Sequence, residues 1–207
     1  MSKKWTIMHK DVPVADVDVL EHEGVIINVD SILDIKHAPW GTLKDGVLSR
    51  ERLNEWFKGR SIPASRANIK DILYQVGVSS TPALSLKSFG LSLSDQYWIK
   101  PKSFTKTWSE VDFYQNNFSD DIGDLLLLDK ITKNVEFDIE SPDNSSDGVL
   151  RKRWKQVGDK QILIKGGAAP IYQEPFNEVI ASKIMTRLGI NHTPYHIMNI
   201  DKKPFSV

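Results

Sequence analysis

The stretch Gln161-Ile162-Leu163-Ile164-Lys165-Gly166-Gly167, followed by Glu174-Pro175-Phe176-Asn177-Glu178, decides how the last third of this chain folds. The first run is three apolar β-formers ended by a lysine and two glycines, which is the signature of a strand and its exit. The second opens a helix. Pro175 suits a first helical turn, Glu174 complements the dipole there, and Gly189 supplies the stop. The spacing predicts a helix over 174–188 with Phe176, Val179, Ile180, Ile184 and Leu188 as its buried stripe. On either side, residues 149–154 and 195–200 read as strands. Val157-Gly158-Asp159 reads as the hairpin turn joining 149–154 to 160–165. The expectation is a small antiparallel sheet with one helix.

Working outward, the stretch Ser141-Pro142-Asp143-Asn144-Ser145-Ser146-Asp147-Gly148 is the strongest loop signal in the chain. Before it lies a mixed region. Residues 5–8 and 24–29 read as strands, and 41–46 as a loop. Ser49 caps a helix that runs to Lys58, with Leu53, Trp56 and Phe57 on its apolar face. Arg60-Ser61-Ile62-Pro63 breaks it. A second helix spans 65–76, with Ile69, Ile72, Leu73 and Val76 in register, and ends at Gly77. Residues 81–93 read as a loop with one turn, and 97–100 as a strand closed by Pro101. An aromatic connector follows over 108–118, and 122–128 fits a short helix or a strand equally. The fold class is therefore α+β. A mixed N-terminal accessory domain covers 1–125, a linker 126–143, and the small sheet with its helix 144–207.

Composition narrows the chemistry. Lys+Arg and Asp+Glu both number 27 in 207 residues, so there is no net charge to draw the chain toward nucleic acid or an anionic membrane. There is no cysteine, which removes disulfides, thiolate metal sites and cysteine nucleophiles. No apolar run approaches the roughly 18 residues of a membrane span, and residues 1–10 lack an apolar signal core. A cytoplasmic protein is the expectation.

Lys165 ends its strand where a kinase-type lobe places the lysine that reaches the α- and β-phosphates of ATP. By itself, such a lysine is more often a solvated strand end. Glu174 and Glu178 share a helix face. Glu174 reads as a dipole complement, whereas Glu178 lies deeper and is the expected partner of Lys165. Ser145-Ser146-Asp147-Gly148 has the small residues that let backbone N–H groups approach phosphate oxygens, though the same residues also make ordinary surface turns. Three further candidates are weaker. His192 and His196 are separated by Pro194, which spoils a helical metal pair. Arg151-Lys152-Arg153-Trp154-Lys155 has the charge to meet nucleic acid or phosphate, a use that zero net charge argues against, and such a run is more often a solvated strand face. Asp120-Asp121 lacks the spacing of a metal loop.

The order of the Ser145 to Gly148 loop, Leu163-Ile164-Lys165, and Asn177-Glu178 with the Leu188-Gly189-Ile190 exit resembles the HipA-like serine/threonine kinases of bacteria, including the smaller CtkA-like members. Leu53 to Phe57, then Ile62-Pro63-Ala64-Ser65-Arg66, is similar to the accessory domain that precedes the kinase core in that family. The resemblance implies that Ser145, Ser146, Asp147, Gly148, Lys165 and Glu178 serve nucleotide binding, with ATP and magnesium as cofactors of the full kinase. It implies autophosphorylation at Ser145 or Ser146. It also places the catalytic and magnesium-binding residues in a C-terminal lobe beyond Val207, so that this chain is expected to be catalytically incomplete by itself and to bind ATP weakly or not at all. The alternative is a non-catalytic module that binds an antitoxin-like protein or complements a separate kinase lobe. Neither reading expects direct contact with nucleic acid or a membrane.

Overall fold

The structure, a computed structural model, describes residues 2–66, 69–92, 95–116, 127, 150–158 and 160–207. It is an α+β chain built on two four-stranded antiparallel sheets. Strands β1 (Lys3–His9), β2 (Val12–Leu20), β3 (Val25–Ile32) and β6 (Tyr97–Pro101) form the first, in the order β3-β2-β1-β6. Its core joins Trp5, Ile7, Val14, Val17, Val19 and Ile26 to Leu53 and Phe57 of helix α1 (Arg50–Gly59).

β2 was not anticipated, because Asp16 and Asp18 interrupt its apolar run. The structure shows how each is accommodated. Asp16 is buried, accepts from Thr6 Oγ1 at 2.7 Å and pairs with Lys102 at 2.5 Å. Asp18 pairs with Lys4 at the surface. α1 starts at the expected cap, where Ser49 Oγ accepts from Arg52 N. Its Asn54 side chain bonds both backbone groups of Ile26, accepting from the N–H at 2.9 Å and donating to the carbonyl at 2.7 Å. Asn54 thus completes the outer side of β3 as a neighbouring strand would.

The expected loop at 41–46 contains a two-residue hairpin, β4 (Leu43–Lys44) and β5 (Val47–Leu48), turned by Asp45 and Gly46, both at positive φ. α2 (Ile69–Val76) ends at Gly77 as expected but starts later than the predicted residue 65, since Ser65 and Arg66 lie in a turn. The region read as a loop over 81–93 is instead opened by a helix, α3 (Thr81–Lys87). Ser80 Oγ accepts from Ala83 N at 3.1 Å, and Pro82 sits in the first turn. The N-terminus of α3 also receives the β2–β3 turn. Ser80 Oγ donates to Glu23 O at 2.7 Å, and a Cβ on Gly24 would lie 2.3 Å from Pro82 C. With φ at +67° as well, that position admits only glycine.

Arg60, which the sequence marked only as a break, is a central tie. Its side chain is 4% exposed and makes a two-pronged ion pair with Asp95 at 2.6 and 2.8 Å. It also donates to Gly90 O and Tyr97 O, and it stacks on Trp56 at 4.7 Å.

Strands β7 (Lys152–Val157), β8 (Lys160–Gly166), β9 (Ile197–Ile200) and β10 (Lys203–Ser206) form the second sheet, in the order β7-β8-β10-β9. β7 and β8 meet across the expected turn, Val157 opposite Lys160. The strand expected over 195–200 is shorter and pairs with β10, whose pattern Pro204 interrupts. Helix α4 (Glu174–Arg187) lies where predicted, but its buried side is not the predicted stripe. Val179 is buried with Pro175 and Ser182, whereas Phe176, Ile180, Ile184 and Leu188 are exposed, Leu188 at 67%. The helix is apolar on more than one side, and spacing alone could not say which side the sheet takes. Nor is 151–155 a wholly solvated face, since Arg153 is 2% exposed. Phe113 meets Trp154 edge-on at 5.2 Å, and Phe113 O accepts from Gln161 Nε2 at 3.0 Å, so the aromatic connector packs on this second sheet. Among the described residues, no helix is long and apolar enough to cross a membrane.

Candidate functional site

Alternation along β8 and β10 builds the site. Ile164 and Phe205 point to one side of the sheet, into a core with Leu127. The next residues, Lys165 and Ser206, are cross-strand partners and so share the opposite side. α4 crosses that side. Lys165 Nζ donates to Glu178 Oε1 at 2.8 Å and to Tyr195 Oη at 3.0 Å, and lies 5.0 Å from the Tyr195 ring centre. Ser206 Oγ donates to the other oxygen, Glu178 Oε2. The three groups act differently on the lysine. Glu178 bridges strand to helix, Ser206 fixes its far oxygen, and Tyr195 covers the ammonium.

Burial disfavours the charge on Lys165, but the hydrogen bonds and charge of Glu178, with a smaller contribution from Tyr195, outweigh it and hold the pKa above the ordinary lysine value. The ammonium is therefore fully charged at neutral pH. The side chains of Lys165 and Glu178 are 24% and 31% exposed. Pairs this open to water contribute only about 0–1 kcal/mol to stability. The contacts thus fix where the ammonium lies more than they stabilise the fold.

The connection from β8 to α4 is tightly folded. Glu174 Oε2 accepts from Ala168 N at 3.0 Å, so Glu174 caps this loop as well as complementing the helix dipole. A Cβ on Gly167 would lie 2.7 Å from both Glu174 Oε2 and Tyr172 Cα, which restricts the position to glycine. The loop thus fixes the distance from Lys165 to the start of α4.

Of the residues singled out from the sequence, Lys165 and Glu178 are brought together. Ser145, Ser146, Asp147 and Gly148 lie outside the described residues, as do Asp120 and Asp121. Among the described residues, no group of three or more histidine or acidic side chains is placed to hold a metal ion. His192 instead bonds to its own loop and to α4. Sequence reasoning missed Tyr195 and Ser206. The one available signal for Ser206 was its position two residues from Pro204 in an alternating run, which the proline masked.

Compared with protein-family models, with curated proteins and with solved structures, the chain finds no match.

Proposed function

We propose that this chain supplies the nucleotide-phosphate half of a HipA-like serine/threonine protein kinase of the cytoplasm. The observation that carries the reading is the 2.8 Å contact between Lys165 on a strand and Glu178 on the following helix. A lysine held this way presents its charge to the α- and β-phosphates of ATP, and the helix carboxylate keeps it in place. The described residues fit a phosphate-binding role through one charged, partly exposed ammonium and a glycine-bearing turn beside it. ATP is the expected nucleotide. The resemblance assigns magnesium ligands and the catalytic aspartate to a C-terminal lobe, which the phosphate contacts described here would need for turnover. Ser145 to Gly148 would cover the phosphates, with Ser145 or Ser146 as the autophosphorylated residue.

The test is calorimetry of ATP with Mg²⁺ on this chain and on Lys165→Ala. Binding that the substitution weakens at least tenfold is the expected result, since a lost hydrogen bond to a charged group costs about 1.5–3 kcal/mol. Equal binding by both proteins would sink the reading.

A second reading has its own observation, the open apolar side of α4 formed by Phe176, Ile180, Ile184 and Leu188. Contiguous exposed apolar surface of this kind suits a protein partner, either an antitoxin-like protein or a separate kinase lobe. A chain that remains monomeric in sedimentation, and whose α4 tolerates Ile180→Glu with no change in any association, would count against it.

A further inference from the structure

We infer that Ser182 and Tyr195 are positioning residues for Lys165, and that the segment between α4 and β9 exists to hold Tyr195 over the ammonium. As a statement about nucleotide handling this rests on the proposed kinase function; as a statement about Lys165 it stands on geometry alone.

Ser182 follows Glu178 by one helical turn and so lies on the same side of α4. It is buried, and its hydroxyl is the meeting point of the segment. Tyr195 N donates to Ser182 Oγ at 3.1 Å, and His192 Nε2 lies 3.1 Å from the same oxygen. His192 Nδ1 lies 2.8 Å from Ile190 O. A carbonyl only accepts, so in the neutral ring Nδ1 carries the proton and Nε2 is bare. The Ser182 hydroxyl therefore donates to His192 and accepts from Tyr195. Thr186 Oγ1 donates to Ser182 O at 3.0 Å, one turn further along the helix. On the other side of Tyr195, His196 and Val207 exchange two backbone hydrogen bonds of 2.9 Å. Tyr195 is thus fixed from both sides, by α4 through Ser182 and by the end of β10 through His196.

The consequence falls on the ligand. An ammonium has three N–H donors. Glu178 and Tyr195 take two. With two directions fixed, the third points one way, and a single acceptor such as a phosphate oxygen can use it. Glu178 supplies the countercharge, and Tyr195 removes the rotational freedom.

The experiment follows the titration of Lys165 by NMR of its side chain in the full chain. The proteins are the parent, Tyr195→Phe, Ser182→Ala and the double variant. Tyr195→Phe removes one hydroxyl and keeps the ring, so the packing survives. It should lower the midpoint of the Lys165 titration. Ser182→Ala should lower it in the same direction, and should add little in the Tyr195→Phe background, because both act through one hydroxyl. An unchanged midpoint in Tyr195→Phe overturns the inference. So does an effect of Ser182→Ala that adds in full to that of Tyr195→Phe. If Ser182→Ala fails to fold, His192→Gln replaces it in the same cycle with the same expectation. ATP affinity, measured in parallel, should fall severalfold in each single variant. A parent chain that binds no ATP would refute the nucleotide reading while leaving the titration to decide the positioning.

Discussion

At the scale of single residues, Asp16 and Lys165 show opposite responses to pH. Burial pushes the Asp16 carboxyl up, but hydrogen bonds from Lys102, Thr6 and Ser31 and the Lys102 charge outweigh it and leave the pKa below the ordinary aspartate value. A depressed carboxylate stabilises the fold above its unfolded pKa, and that contribution is lost as pH falls through the folded value. Asp16→Asn should therefore cost about 2 kcal/mol at neutral pH. In urea titrations at a series of pH values, it should also flatten the acid limb of the stability profile below about pH 4. A variant as acid-sensitive as the parent would show that other carboxylates govern that limb. Lys165, with its raised pKa, contributes below the unfolded lysine value and loses that contribution as pH rises through the folded one. The pairing of Lys165 with Glu178 was legible because strand, turn and helix succeed each other in the chain. Tyr195, Ser206 and Asp16 were not, because their partners are set by register and loop path, which residue types do not encode locally.

At the scale of elements, the contrast between α1 and α3 is instructive. α1 has a capping serine and an apolar side aligned at helical spacing, and its bounds were readable within a residue or two. α3 has a capping serine too, but Thr81-Pro82-Ala83-Leu84-Ser85-Leu86 is short, and small and polar residues blur its period. All of Thr81, Ala83, Leu84, Ser85 and Leu86 are buried, so no amphipathic contrast marks the helix. Ser80 has to both cap this helix and hold the β2–β3 turn. Ser80→Ala should then cost about 1–2 kcal/mol, the upper part of the range for a lost cap. Denaturant titration of the variant would show it as a lower midpoint with an unchanged slope, and a loss of only a few tenths would mean that the turn holds itself. α4 teaches the complementary lesson. Its existence and both ends were readable, but a helix with apolar residues on several sides does not announce its buried one. Glu178 settles the matter, since its contact with Lys165 turns Val179 and Ser182 inward and leaves Phe176, Ile180 and Ile184 outside.

At the scale of the whole molecule, Arg60 gathers the end of α1, the turn at Gly90 and the start of β6 around one guanidinium. Removing one partner of a buried ion pair leaves the other unpaired, which costs about 3–5 kcal/mol. Arg60→Ala should lose that much in global unfolding. Arg60→Lys should recover little, because an ammonium cannot make the two-pronged contact with Asp95 and also reach both carbonyls. Recovery of most of the stability by lysine would show that charge alone matters. The α+β class followed from the sequence. The order of strands within each sheet did not, since β6 joins β1 across a long intervening stretch and β10 inserts between β8 and β9.

The Asn54 amide that serves both backbone groups of Ile26 has one more effect. β3 is the outermost strand of its sheet, and an outermost strand with free N–H and C=O groups is a template onto which another molecule can add. One helical side chain occupies the template at Ile26, and Arg50 Nη1 occupies Ile27 O beside it at 3.3 Å. Two residues of α1 thereby act as a guard against self-propagating assembly, and the same helix that seals the core keeps neighbouring molecules from zipping together in a crowded solution.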